Sequence, residues 1–359
     1  MAKFRKIGVL TSGGDAPGMN AAVRAVARKA LQNGIQVVGI RGGYEGLLNE
    51  DMVELSTHAV SQIITKGGTM LYSSRCPRFV NREWQMKGVE ICHKHEIDAI
   101  VAIGGDGTFR GATALTNLGI PSIGIPATID NDISATEYTI GFDTAMNTVL
   151  GMVDCLRETC ESHNRCNVIE VMGRDCGMIA LYTGMATGAL AIAIPEIPFD
   201  EKHGIEKLAS ARAQGKRGLI AVTSEGMKPT ADGKNFSEHF AAEIEKNAGI
   251  ETRFARCGHI IRGGEPTIRD RVMATQMGYE AVNELLAGKS NEVMCYIGGK
   301  ITPIDINYAL ILDRMYKNKL EEFDLDGFTD EQITSMREVC SAKSANIRRL
   351  YQMAMDISF

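Results

Sequence analysis

The sequence predicts an α/β protein of two lobes, each built on a mostly parallel sheet flanked by helices. Three observations carry that expectation. Short branched apolar runs without polar alternation recur along the chain, as in strands buried on both faces. Longer helical stretches separate them, and this alternation is the sign of parallel sheets with helices on both faces. The chain has 359 residues, more than one compact core usually holds, so two lobes are expected.

The elements follow in order. Strands are expected at KIGVLTS (6–12), QVVGI (36–40), AIVAIGG (99–105), PSIGIPA (121–127), CNVIEVM (166–172), LAIAIPE (190–196), GLIAVTSE (218–225), CGHII (257–261) and EVMCYIG (292–298). Helices are expected over 19–34, ending at Gly34, over 142–160, and over 271–288, stopping at Gly288. The stretch 227–238 (MKPTADGKNFSE) is polar and reads as a surface loop, and the last thirty or so residues read as one or two helices. Residues 177–195 carry no charge, close to the length that spans a bilayer, but they are rich in Gly, Ala and Thr and close on a proline. A buried helix followed by a buried strand is the expectation there, and no membrane association.

Bulk chemistry narrows the function classes. The net charge of -5 argues against a nucleic-acid binder that relies on overall charge, while leaving room for a local basic pocket. The N-terminal residues enter a strand pattern without a secretory leader, and the nine cysteines are scattered with no C-x-x-C pair. Reduced thiols and a cytoplasmic location are expected. Cys155, Cys160, Cys166 and Cys176 lie near one another in sequence, and buried apolar packing explains them better than a metal site.

Ligands of open α/β sheets bind beyond the carboxyl ends of the strands, and four of those ends carry polar or glycine-rich loops here. Gly13-Gly14 and Gly104-Gly105 both precede helices, where backbone N–H groups and the helix N-terminus favour an anion. Neither loop is a Walker sequence or a clean G-x-G-x-x-G. Asp106 follows the second glycine pair. An acid there repels phosphate unless a cation intervenes, and Mg2+ suits that role; the plain alternative is a helix N-cap. Asp130 and Asp132 are two apart, so in an extended segment both point to one side and Asn131 to the other. That pattern suits a metal, a shared proton or a base beside a Mg2+-binding group, and equally an Asx turn.

Taken together, IGVLTSGGDAPGMNAAVR, GGDGT, IPATIDND, YTIGFDTA, EVMGR and GHIIRGG, in that order, resemble the 6-phosphofructokinases. GGDGT alone is shared with NAD kinases and lipid kinases, whereas PATIDND together with MGR and GHIIRGG is specific. The resemblance runs from about residue 5 to about 310. It implies a nucleotide- and Mg2+-binding lobe over 1–141 and about 261–310, and a sugar-phosphate lobe over 142–260. Helices over about 311–359 are expected to pack on the second lobe.

The resemblance also implies roles. Asp130 is similar to the base that deprotonates the C1 hydroxyl of fructose 6-phosphate, with Asp132 beside it and Asp106 as the Mg2+ contact. Thr128 holds the transferring phosphoryl group, whose charge Arg75 and Arg174 stabilise. Gly14, Tyr44, Arg75, Cys76, Asp106, Gly107, Thr108 and Gly111 are implied around ATP. Arg165, Arg253, His259 and Arg262 grip the 6-phosphate, with Arg165 and Arg253 supplied by a neighbouring subunit of a homotetramer. Met172, Gly173, Arg174 and Glu225 read the sugar, together with Thr128, Asp130 and Asp132.

Gly107 favours ATP as donor, because pyrophosphate users of the family carry an aspartate there and a lysine where this chain has Ala127. Pyrophosphate is the alternative, and Ala127 departs from the glycine usual in ATP users. Arg24, Arg28, Arg157, Lys216 and Arg217 resemble part of the family's effector site. Thr57, Leu190 and Gln214 replace an arginine, a metal-binding glutamate and a lysine there, which implies weakened ADP activation. An NAD kinase has no reason for MGR and GHIIRGG. A catalytically silent paralogue has no reason to keep Asp130, Thr128 and Arg174.

Overall fold

The computed structural model describes residues 4–358. In chain order the elements are β1 (Lys6–Ser12), α1 (Met19–Gln32), β2 (Gln36–Ile40), α2 (Gly43–Leu48), β3 (Met52–Glu54), α3 (Arg82–Lys94), β4 (Ala99–Gly104), α4 (Asp106–Asn117), β5 (Ser122–Pro126), α5 (Phe142–His163), β6 (Cys166–Val171) and α6 (Met178–Ala186). There follow β7 (Ala191–Ala193), α7 (Glu201–Ala213), β8 (Leu219–Ser224), α8 (Phe236–Ala248), β9 (Thr252–Arg256), α9 (Ile268–Leu286), β10 (Glu292–Ile297), β11 (Lys300–Asp305), α10 (Ile306–Tyr316) and α11 (Asp330–Ile357). Short 3-10 turns stand at Pro77–Val80 and Gly258–Arg262.

The chain forms two compact units. One holds the chain up to Ile129, Ile133–Thr144 and Arg262–Cys340; the other holds Asp130–Asp132, Ala145–Ile261 and the chain from Ser341. The first unit carries a seven-stranded sheet in the order β11-β10-β5-β4-β1-β2-β3. Its five central strands are parallel, and β3 and β11 run antiparallel at the two edges. From β1 the chain moves to β2 on one side, and from β4 to β5 on the other. Adjacent strands β1 and β4, in register at Ser12 and Gly104, therefore define the switch point where such sheets open a crevice. The core beneath it includes Leu10, Tyr44, Phe79, Phe109 and Leu115.

The second unit carries a parallel sheet in the order β7-β8-β6-β9. Strands β6 and β8 are buried at every residue, which is why their sequences show no polar alternation. Phe199 meets Phe236 and Phe240 edge-on at 5.9 and 5.2 Å, closing the core over one face. The uncharged stretch becomes α6 and β7, and no described helix is long and apolar enough to cross a membrane.

Two expectations need correction. CGHII is not a strand: the pairing of β9 ends at Arg256, Gly258 takes a left-handed φ of 53°, and the chain turns into the 3-10 segment. The tail is divided between the units. Met336 is fully buried in the first unit's core, with Phe328 and Cys340 against it, because their apolar side chains cover α10. Only the later part, with buried Ile347, Ala354 and Ser358, lies in the second unit.

Candidate active site

In the first unit, the loops after β1 and β4 lie side by side. A Cβ at Gly104 would stand 2.4 Å from the Ser12 carbonyl oxygen and from the Thr108 hydroxyl, so only glycine lets the strand end pass so close. Thr108 is buried and donates through Oγ1 to the Ser12 carbonyl at 3.0 Å, tying the start of α4 to β1. Tyr44 is also buried; its hydroxyl donates to the Thr108 carbonyl at 2.6 Å, and its ring stacks on Phe79 at 4.4 Å. That ring lies where a Cβ on Gly111 would collide at 2.4 Å. The structure thus places Tyr44, Thr108 and Gly111 beneath the turn, as its support.

Asp106 and Gly107 face outward. The N-cap reading of Asp106 is corrected: Gly105 is the N-cap, and Asp106 is the first helical residue, ion-paired to Arg110 at 2.9 Å with its side chain 36% exposed. A Cβ at Gly107 would meet nothing within 4 Å. The N–H groups of Thr108 and Phe109 turn back to the Gly105 carbonyl at 2.9 and 3.2 Å, and what the turn offers an anion is the positive end of α4 with open ground at Gly107. Gly14 lies against Arg262, whose nearest guanidinium nitrogen would be 2.9 Å from a Cβ there, and Arg262 Nη1 donates to the Asp15 carbonyl at 3.2 Å. Arg75 is exposed. Cys76 is half-buried and donates to Glu45 at 3.1 Å; this bond and the Arg78 guanidinium hold the Glu45 carboxyl below the usual range.

Past β5, buried Ala127 donates its N–H to the Gly104 carbonyl at 2.9 Å and pairs with Ile140. The Thr128 carbonyl accepts from Thr139 Oγ1 at 2.6 Å. What fixes this second segment is Asp270 at the start of α9, fully buried, which sequence reasoning missed. Its carboxylate takes the N–H of Gly141 at 2.7 Å and of Thr144 at 2.9 Å, and the hydroxyls of Tyr138 and Thr144. Burial raises its pKa despite those bonds. One acid near a helix start carries no sequence signal that distinguishes it from a helix-end charge.

In the second unit, β6 and β8 end together at Val171 and Ser224. The next residue on β8, exposed Glu225, accepts the N–H of Gly173 at 3.1 Å and of Arg174 at 2.9 Å. The turn is tight: Arg174 has φ 51°, and a Cβ on Gly226 would stand 2.0 Å from the Arg174 carbonyl. Met172 is nearly buried. This clamp presents the Arg174 guanidinium, half exposed, with Nε 3.4 Å from Asp130, whose side chain has no exposure at all. A carboxylate removed from water needs such a partner. The expectation of an extended Asp130–Asp132 is corrected, since Asn131 has φ 49° and breaks the two-residue alternation. Asp132 is half-buried within this unit and acts on the Cys176 thiol, which burial chiefly pushes up to about 12.

Arg165 and Arg253 are not near that turn. They stand at the opposite ends of β6 and β9, about 20 Å along the sheet at ~3.3 Å per strand residue. There both converge on Glu251, at 2.8 and 2.5 Å. His259 is exposed on the 3-10 turn of this unit, whereas Arg262 belongs to the first unit.

Arg24 and Arg28 line a cavity of about 490 Å³ in the first unit, with Lys29, Thr57, Thr275 and Tyr279. Burial and the neighbouring Arg28 lower the Arg24 pKa, and Lys29 lies 4.3 Å from the centre of the Tyr279 ring. The other expected basic residues lie in the second unit. Arg157 donates to the Thr187 carbonyl at the end of α6, and Arg217 donates to the carbonyls of Glu161 and Ser162 near the end of α5, at 2.9 and 3.2 Å. Lys216 is half-buried beside them.

The chain is similar to known proteins in sequence and fold. The sequence profile described as Phosphofructokinase matches residues 6–285. The chain is 47% identical over 319 residues to the ATP-dependent 6-phosphofructokinase 1 of Clostridium perfringens, covering 89% of this chain and 98% of that protein. It is 46% identical to the ATP-dependent 6-phosphofructokinase of Clostridioides difficile, with the same coverage. The structure of phosphofructokinase from Saccharomyces cerevisiae superposes with a TM-score of 0.85 at 28% identity, over 99% of this chain and 50% of that one. A pyrophosphate-dependent phosphofructokinase from Marinobacter aquaeolei shares the fold, with a TM-score of 0.75 at 24% identity over 84% of this chain and 83% of that one.

Proposed function

The chain belongs to the phosphofructokinase family and transfers a phosphoryl group from ATP to fructose 6-phosphate; from that premise we propose how its residues divide the work. The observation that carries the donor assignment is the open ground at Gly107, where a would-be Cβ meets nothing within 4 Å beyond its own helix turn. An α-phosphate and its nucleoside fit there. An aspartate would fill the space with bulk and negative charge.

Phosphoryl transfer asks mainly for in-line positioning and charge stabilisation. Asp106 suits Mg2+, which takes one or two carboxylates and completes its shell with water and phosphate oxygens. The fit rests on a half-exposed carboxylate at an open helix start; among the described residues no group of three His, Cys, Asp or Glu is arranged to hold an ion. When bound, Mg2+ supplies neutralisation of the triphosphate charge. Thr128 holds the transferring group, and the positive N-terminal end of α4 faces the phosphates.

Asp130 takes the proton of the sugar C1 hydroxyl and the phosphoryl group passes to that oxygen, giving fructose 1,6-bisphosphate and ADP. Arg174 balances the Asp130 charge beforehand. As that carboxylate accepts the proton, the guanidinium becomes free to follow the negative charge onto the phosphoryl oxygens, with Arg75 as a second donor. Asp132 assists beside Asp130, while Met172, Gly173 and Glu225 shape the sugar side. Arg262 and His259 grip the 6-phosphate from the same chain, and Arg165 and Arg253 come from a neighbour in a cytoplasmic homotetramer. Their distance from the Arg174 turn within one chain supports that division. The Arg24–Arg28 cavity takes an anionic effector, with ADP activation weakened by Thr57, Leu190 and Gln214; an ADP-induced shift of the sugar-phosphate saturation curve would count against this.

A coupled assay with fructose 6-phosphate and either ATP or pyrophosphate tests the donor assignment. The wild type should turn over with ATP, and Gly107→Asp, which meets no steric conflict in the fold, should lose that activity. ATP turnover retained in Gly107→Asp overturns the donor argument.

A further inference from the structure

The loop between α10 and α11 lies outside residues 6–285 and has no part in the roles above. It is held close to the start of α4. Helix α10 packs on α4, and Arg314 in its last turn grips both oxygens of Asp324 at 2.7 and 2.9 Å. Asp324 also caps the loop by accepting the Glu321 N–H at 2.9 Å, and the Phe323 carbonyl accepts the Asp326 N–H at 3.1 Å. Behind the loop, Phe328 packs edge-on to Tyr308, 6.2 Å between ring centres. This loop is therefore fixed at both ends.

Its charges reach the nucleotide turn. Asp324 is held below the usual carboxylate range first by the Glu321 N–H and Arg314, and Arg110 adds to the effect. Arg314 in turn feels Asp106. The pairs Asp106–Arg110 and Arg314–Asp324 thus form one charge cluster on one side of α4.

The residue beside Asp324 is unusual on two counts. Phe323 has φ 75°, a left-handed conformation that a bulky residue rarely adopts, and it is 72% exposed. Strain at a residue whose side chain is mostly exposed is not explained by packing, and such outliers cluster where a ligand is met. An exposed aromatic face on a rigid loop is what a nucleic-acid base stacks on.

We propose that Phe323 is the platform on which the base of the nucleoside triphosphate stacks, so that the loop after α10 completes the donor site. This rests on the reading of the α4 turn as the triphosphate site. Arg314 and Asp324 act as positioning residues, since they hold the loop and touch no reacting atom.

The test uses the full chain. Phe323→Ala should raise KM for ATP about tenfold, the scale of one base–aromatic contact. Inhibition by inorganic tripolyphosphate, which has the phosphates without the base, should not change, nor should KM for fructose 6-phosphate. A reporter is available because Trp84 is the sole tryptophan: Phe323→Trp in a Trp84→Phe background should be quenched by MgATP and not by tripolyphosphate. An unchanged KM for ATP, an equal weakening of tripolyphosphate inhibition, or fluorescence indifferent to MgATP overturns the platform. Adding Gly107→Asp to the reporter separates the two readings. Quenching that survives it overturns the α4 site, whereas quenching lost while Phe323→Ala is silent overturns Phe323 alone.

Discussion

The two ends of the second unit's sheet carry arginines in opposite states. At the carboxyl end, Glu225 spends its carboxylate on the backbone N–H groups of Gly173 and Arg174, and the Arg174 guanidinium is left to face buried Asp130. At the amino end, Glu251 meets the guanidinium groups of Arg165 and Arg253 directly; Glu251 and Arg253 are substantially exposed and Arg165 is partly buried. Glu225 fixes the backbone that carries Arg174 and leaves the guanidinium to Asp130, whereas Glu251 pairs with both guanidinium groups itself. Residue type is the same at both ends, and what differs is which group the acid holds.

That contrast can be broken most severely at Asp130. Asp130→Asn should leave sugar-phosphate binding largely intact and lower kcat by ~10²-fold or more, as loss of a general base does. Steady-state kinetics beside equilibrium binding separate the two, and unchanged turnover removes Asp130 from the role. The same variant sharpens the comparison when refolded together with Arg165→Ala. If the two ends belong to different subunits of one site, about a quarter of the sites in mixed oligomers regain both groups, and activity returns. No recovery means that Arg165 serves its own chain or none.

A smaller effect is expected from Glu225→Ala. Two backbone donors lose a charged acceptor, the Arg174 turn loosens, and kcat should fall about tenfold with little change in Tm, because Glu225 is exposed. Equal kinetics would make the clamp ornamental. At the other end, Glu251→Gln releases Arg165 and Arg253, so KM for fructose 6-phosphate should fall about twofold, in keeping with the small weight of exposed pairs. A rise in KM would mean that Glu251 orients the arginines instead of neutralising them.

The smallest signal is in pH. Arg165 holds the Glu251 carboxyl below its ordinary pKa. The stability this contributes is present above the ordinary carboxylate value and fades as pH falls through the lowered one. Thermal unfolding of Glu251→Gln should differ from wild type at neutral pH and converge with it in acid. A difference that grows in acid reverses the sign and rejects the pair as its cause.

Much of the fold was legible because buried parallel strands write themselves as uninterrupted apolar runs. KIGVLTS, AIVAIGG, CNVIEVM and GLIAVTSE all became strands within one residue of expectation. The missed strands are β3, β9 and β11, which are short or half-buried; TRFAR carries two arginines and KITPID a proline. The site was legible as motifs and not as geometry. Asp130-Asn131-Asp132 looks extended on paper, and nothing local announces that Asn131 turns left-handed. Nor does anything local announce that Tyr44 and Thr108 are buried and joined by a hydrogen bond beneath the turn.

By itself, the sequence determined the α/β class, the family and the residue types available for phosphoryl transfer, because apolar patterning and the order of chemical groups are local properties of a chain. Tertiary structure alone decided which acid meets which donor. Asp270 holding Tyr138, Glu225 holding Gly173 and Arg314 holding Asp324 depend on how strands and helices are brought together, and a carboxylate takes its meaning from the donors that packing places around it.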